Sequence, residues 1–310
     1  MAITAAMVKE LREMTGVGMM DCKKALAETD GDMEKAVELL REKGLAASAK
    51  KAGRIASEGI VDVYLSDDNK VGTIVEVNSE TDFVAKNQVF KDYVAAVAKQ
   101  ASTSNAKDMD EFFAEAWNLD TQYTVKDALS QQVAVIGENL NIRRFEKFEK
   151  TESGKLVSYI HGGGRIGVLI EMSCAVESDA LVELGKNIAM QIAALNPKFI
   201  READVPAEFI EKETEILTLQ AKNDPKNASK PENIIQKMIE GRLKKELKEF
   251  CLVEQAYVKD GDMTVKQYID SVAKEVGSPI DIKRYVRFET GEGMEKKEEN
   301  FADEVAKAMQ

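Results

Sequence analysis

Apolar residues at helical spacing open the chain. Val8, Leu11 and Met14 line one side of a segment that Thr4 caps and that Gly16 and Gly18 break. Asp21 to Glu28 carries Cys22, Ala25 and Leu26 at the same spacing, and Gly31-Asp32 ends that segment and caps the next. There Met33, Val37 and Leu40 form the stripe, with Gly44 as the stop and Ala46 to Arg54 as a small, basic linker. The pattern predicts three short helices over residues 4–44. So small a bundle buries little surface and is marginal alone.

The period then changes. Val61, Val63 and Leu65 alternate, Ser66-Asp67-Asp68-Asn69 turns, and Val71, Thr73, Val75 and Val77 alternate again, which predicts a β-hairpin. A helix follows over about Gln88 to Gln100, with Val89, Tyr93, Val94 and Val97 as its apolar positions. The chain then repeats itself. Val71-Gly72-Thr73-Ile74-Val75-Glu76 is echoed by Ile166-Gly167-Val168-Leu169-Ile170-Glu171, followed by a helix over about Asp179 to Leu195. Ile142-Arg143-Arg144-Phe145 is echoed by Ile282-Lys283-Arg284-Tyr285. Each half reads as hairpin, helix, excursion and closing strand, so the fold class is α+β with two duplicated lobes. The first excursion, Ser102 to Asn139, includes Trp117. The second holds two long helices, the first opened by a first-turn proline, Pro206, and the second by Pro231. They predict an antiparallel helical hairpin projecting from the second lobe. A last helix is expected from about Asn300.

Composition narrows the function. The 310 residues suit two or three structural units, and the net charge of -12 disfavours direct nucleic-acid binding, which draws on a basic surface. It suits a protein partner with basic patches. Three scattered cysteines, Cys22, Cys174 and Cys251, show no metal spacing and point to a reducing cytosol, hence a cytoplasmic location. They reveal no dimer disulfide, and a homodimer stays an open alternative. Lys9, Glu10 and Arg12 follow close on the N-terminus, so no signal core is expected, and no run nears the ~20 apolar residues of a membrane helix. The single histidine, His161, weakens most hydrolase readings. No acid–base pair, cofactor site or metal site is called for.

Three constellations carry candidate chemistry. In Ser79-Glu80-Thr81-Asp82-Phe83-Val84-Ala85, Ser79 and Asp82 can cap a helix reciprocally and Phe83 can pack inward as a staple. The functional reading is a phenylalanine held at a loop tip beside a carboxylate, ready to enter a partner's pocket. In Leu11 to Leu26, Met19 and Met20 sit in a tight interhelical loop. It is either a capped turn or a methionine-bearing binding surface. His161-Gly162-Gly163-Gly164-Arg165 reads as a hairpin turn rather than a phosphate cradle, because a strand follows it and no Lys-Ser/Thr does.

Leu11-Arg12-x-x-Thr15-Gly16-x-Gly18-x-Met20-x-x-Lys23-Lys24-Ala25-Leu26 resembles the first signature of the elongation factor Ts family. Glu76-Val77-Asn78-Ser79-Glu80-Thr81-Asp82-Phe83-Val84-Ala85-Lys86 resembles the second. His161-Gly162 to Gly167-Val168, Val205-Pro206 and Gly291-Glu292-Gly293 follow in the family's order, so the resemblance spans essentially the whole chain. It implies a domain similar to a ubiquitin-associated (UBA) domain with its linker over 1–54, and core subdomains over 55–150 and over 151–203 with 251–290. It also implies a coiled-coil-like hairpin over 204–250 and a C-terminal helical module over 291–310.

The implied activity is guanine nucleotide exchange on elongation factor Tu, a GTPase of protein biosynthesis, without covalent chemistry. Thr81, Asp82, Phe83 and Val84 take the role of the intruding segment that dislodges the partner's Mg²⁺. Leu11, Arg12, Met19 and Met20 would meet the GTPase domain, and His161 another partner domain. Two departures stand out. Ser102 to Asn139 looks like an insertion longer than some relatives carry, and Asn300-Phe301 stands where some have Asp-Phe. The rival readings are an adaptor that binds ubiquitin-like folds through residues 4–44, and a nucleotide-binding enzyme built on the glycine loop.

Overall fold

The computed structural model describes residues 3–227 and 230–296. The helix expected from Asn300 lies outside them. The chain divides into two compact units. The first comprises Met1–Phe148, Ile160–Gly167 and Phe288–Gln310, and the second Glu149–Tyr159 and Val168–Arg287.

The first unit begins with α1 (Ala5–Thr15), α2 (Met19–Glu28) and α3 (Met33–Lys51). Thr4 Oγ1 accepts the Met7 N–H at 3.3 Å, and Asp32 Oδ1 accepts the Lys35 N–H at 3.1 Å, so two of the three helices start on side-chain caps. Val8, Leu11, Cys22, Ala25, Leu26, Ala36 and Leu40 form their core. Met14 does not join it: it is exposed, because Gly16 turns the chain away before the stripe completes another turn. Gly44 does not stop α3, which runs seven residues further, to Lys51, through the expected linker. A Cβ at Gly44 would lie 3.6 Å from Ala134 Cβ, so this glycine marks a close approach between helices.

β1 (Glu58–Leu65) and β2 (Val71–Ser79) form the expected antiparallel hairpin, Glu58 facing Ser79 and Leu65 facing Gly72. Then come α4 (Asp82–Lys86), α5 (Gln88–Thr103), α6 (Met109–Ala114), β3 (Ala116–Trp117), β4 (Asp120–Thr124), α7 (Val125–Ile136) and β5 (Asn141–Glu149). β2 is the middle strand of a sheet ordered β1-β2-β5. Phe90, Tyr93, Val94 and Val97 of α5 bury themselves with Val75, Val77 and Ile142. Val89, expected in that stripe, is exposed, and Phe90 takes the buried position. Trp117 closes the cluster, its ring 6.0 Å from that of Tyr93.

The second half of the chain repeats the plan. β6 (Gly154–His161), β7 (Ile166–Ser173), α8 (Asp179–Leu195), α9 (Ala207–Asn223), α10 (Glu232–Phe250), β8 (Ala256–Tyr257), β9 (Asp260–Thr264), α11 (Val265–Val276) and β10 (Asp281–Glu289) follow among the described residues. The sheet order is β6-β7-β10, with β7 central as β2 is. The duplication reaches single hydrogen bonds. Gln100 donates to the Ala116 carbonyl and accepts the Asn118 N–H; Gln191 donates to the Ala256 carbonyl and accepts the Val258 N–H. Thr124 and Thr264 both cap the next helix in a capping box, and Gly137 and Gly277 both end it.

Ser102 to Asn139 is therefore not wholly an excursion peculiar to the first half. Its second part, β3, β4 and α7, is the counterpart of β8, β9 and α11. What the second half adds is the antiparallel pair α9 and α10, joined by Leu217, Ala221 and Ile239. Pro206 and Pro231 stand at the caps of these helices, one position before the first turn.

Candidate functional site

Among the described residues, the most exposed large apolar side chain is Phe83, at 82%. It sits on α4, five residues long, directly after the central strand of the first sheet. The cap is Thr81, whose Oγ1 accepts the Val84 N–H at 3.4 Å; the reciprocal Ser79–Asp82 cap does not form. Ser79 instead turns its hydroxyl to the Thr81 carbonyl at 3.0 Å, and Asp82 pairs with Lys86 at 2.6 Å. That contact holds the Asp82 carboxyl below the usual carboxylate range. Val84 and Ala85 face the core, so α4 is anchored on one side and presents Phe83 on the other. The staple reading of Phe83 is therefore excluded: nothing inward receives the ring.

A second carboxylate, which sequence reasoning missed, braces this loop. Glu138, just after α7, accepts the Glu80 N–H at 3.1 Å, the Thr81 N–H at 3.0 Å and the Thr81 hydroxyl at 2.6 Å. Glu80 reaches back and accepts the Asn139 N–H at 2.6 Å. Gly137-Glu138-Asn139 looks in sequence like any helix exit, and its partners are 57 to 59 residues away.

The other candidates divide. Arg12, Met19 and Met20 are exposed at the end of α1 and the start of α2, Met20 at 64%. Leu11 is fully buried in the helical core. Its expected place on the contact surface is corrected: it holds the α1–α2 turn from beneath. His161 is exposed at the end of β6. The glycines beside it form a packed turn. Gly164 has φ +104, its carbonyl accepts the Val61 N–H at 2.7 Å, and a Cβ there would lie 2.7 Å from that of Ile60. The Gly164 N–H donates to the His161 carbonyl at 3.3 Å, so this amide is spent within the turn. Thr81 to Val84, Arg12, Met19, Met20 and His161 all belong to the first unit.

Among the described residues, no helix is long and apolar enough to cross a membrane.

The family model described as Elongation factor TS matches residues 80–292. Curated relatives carry the same description. Elongation factor Ts of Clostridium novyi (strain NT) is 57% identical over 307 residues, 99% of each chain. That of Clostridium perfringens (strain 13 / Type A) is 58% identical over 305 residues, 98% of each. That of Clostridioides difficile (strain 630) is 54% identical over 307 residues, 99% of each.

Proposed function

The chain belongs to the elongation factor Ts family, of bacterial type, with its role in translation elongation, and on that premise we propose that it is the guanine nucleotide exchange factor of elongation factor Tu. The observation that carries the mechanism is Phe83, an exposed ring on a short helix anchored from behind. An apolar ring left in water on a braced support suits insertion into a pocket, since little ordering remains for the moment of binding.

In this reading Phe83 enters a pocket in the partner's GTPase domain. Thr81, Asp82 and Val84 shape the intruding segment, and the resulting shift dislodges Mg²⁺ from the partner. That ion neutralises the GDP phosphates, so its loss loosens the nucleotide. Arg12, Met19 and Met20 dock against the GTPase domain, and His161 meets another domain of the partner. No covalent bond forms or breaks, and no cofactor or nucleic acid takes part. The factor binds the nucleotide-free partner best. Linkage then requires it to weaken GDP by the same factor by which GDP weakens it. Each ~1.4 kcal/mol removed from the release barrier speeds release tenfold.

The test is release of fluorescent GDP from purified elongation factor Tu. Wild-type protein should accelerate it strongly, and Phe83→Ala should lower the maximal release rate more than it weakens binding. An equal or larger loss of affinity with an unchanged maximal rate sinks the wedge. No acceleration at saturating protein sinks the exchange reading.

A further inference from the structure

The loop that carries Phe83 is held by a residue outside it. One carboxylate, Glu138, takes both backbone N–H groups that precede α4 and the hydroxyl that caps it. Glu80 returns the contact to the Asn139 N–H and lies 3.4 Å from Arg54 Nη1. Asn139 Nδ2 donates to the Arg54 carbonyl at 2.8 Å, which ties the exit of α3 into the same network. Hydrogen bonds to an ionised carboxylate are the strong kind. A helix of five residues has too few internal bonds to fix its own axis.

The duplicated half supplies an internal control. Seven residues, 80–86, separate Ser79 from the α5 cap Asn87; three, 175–177, separate Cys174 from the α8 cap Ser178. The extra residues of the first half include Phe83. After α7 stands Gly137-Glu138-Asn139, and after α11 stands Gly277-Ser278-Pro279. Where the loop is short, Glu138 is replaced by a serine, Glu80 by Ala175, and Asn139 by a proline with no N–H to donate. The carboxylates occur only in the half that carries the wedge.

From this geometry we infer that Glu138, seconded by Glu80, is the positioning residue of the Phe83 loop, fixing the orientation in which the ring meets the partner. The inference rests on the exchange-factor reading for its consequence and on this chain's own contacts for its cause. Without Glu138 the Glu80 and Thr81 amides turn to water, and α4 keeps only the packing of Val84 and Ala85 and the Ser79 contact to the Thr81 carbonyl. Phe83 then keeps its chemistry and loses its aim, so the loss falls on the rate of release and not on docking of the rest of the surface.

Two measurements test this on the full chain. In fluorescent GDP release from elongation factor Tu, Glu138→Ala should lower the maximal rate on the order of tenfold, with half-saturation changed less than about threefold. Glu138→Gln, whose amide oxygen still accepts backbone N–H, should restore most of it. Because Glu138 acts through Phe83, the double variant Phe83→Ala/Glu138→Ala should release GDP no more slowly than Phe83→Ala alone. Independent losses that multiply overturn the inference, as does a full rate in Glu138→Ala. Amide hydrogen exchange of Glu138→Ala in the absence of partner should rise over residues 80–86 and not in the core strands. Unchanged exchange there overturns the clamp even if no acceleration by wild type has already removed the exchange reading. Should Glu138→Ala fail to fold, Glu80→Ala removes the other half of the clamp and carries the same expectations.

Discussion

Glu76, wholly buried in the central strand of the first sheet, meets Arg144 of the neighbouring strand through a 2.7 Å contact between Oε2 and Nε. Its other oxygen accepts from Arg143, from Asn78 and from the Gly291 N–H. The second sheet carries the same pair, Glu171 with Arg284, also at 2.7 Å. A buried carboxylate is tolerated here because every approach to it is a donor.

Removing Glu76 leaves its arginines facing a site built for an anion. Glu76→Ala should destabilise the protein by about 3 to 5 kcal/mol in urea unfolding. Burial alone would push the Glu76 carboxyl up, but the Gly291, Asn78 and Arg143 hydrogen bonds and the Arg144 charge outweigh it and hold it below the ordinary value of 4.5. A depressed acid stabilises the fold above its unfolded pKa and loses that contribution as pH falls through its folded pKa. Stability should therefore decline below pH 4.5, and Glu76→Gln should flatten that decline. A slope equal to wild type would assign it to other groups.

Phe83 makes the opposite case. Its ring lies in water, so Phe83→Ala should leave the unfolding free energy within about 0.5 kcal/mol of wild type while lowering nucleotide release. A large loss of stability would mean that the ring packs on the free protein.

Gly44 sits inside α3 with room for one methyl group: its Cβ would stand 3.6 Å from Ala134 Cβ and 3.7 Å from the Ser130 carbonyl. Gly44→Ala should stabilise by about 0.5 to 1 kcal/mol through helix propensity. Gly44→Leu should destabilise, because α7 blocks a longer side chain. Thermal unfolding of the two variants moving in opposite directions is the check.

Gly164 and Gly163 separate space from conformation. Both have positive φ, +104 and +67, but only at Gly164 would a Cβ strike Ile60; at Gly163 nothing lies within 4 Å. Gly163→Ala should cost about 1 kcal/mol for the left-handed backbone alone, and Gly164→Ala clearly more. Equal costs in denaturant unfolding would show that the turn shifts freely.

The sequence disclosed what is local and what is repeated. The Thr4 cap, the strand alternation on either side of Ser66, and the echo of Val71–Glu76 in Ile166–Glu171 all depend on near neighbours or on self-similarity, and the fold follows from them. Gly44 misled because a helix stop and a helix–helix contact ask for the same residue. Met14 continued a stripe on paper that the Gly16 turn cuts short in space. The extent of the repeat was hidden by α9 and α10, which separate α8 from β8 and made the matching segments look like unlike excursions. At the site, Phe83 was legible as a candidate from its place between a strand and a helix. Glu138 was not, because its role lies in partners far along the chain, and only a comparison of Glu138-Asn139 with Ser278-Pro279 would have exposed it.

The chain has a single tryptophan, and Trp117 is buried beside Tyr93 in the first unit. Indole emission is thus an optical label that nature placed in one unit and withheld from the other. A melt followed by tryptophan emission reports the first unit alone, whereas backbone ellipticity reports both. Coincident curves mean that the two unfold as one cooperative system. Separated curves mean two stabilities, and the indole signal says which transition belongs to the unit that carries Phe83.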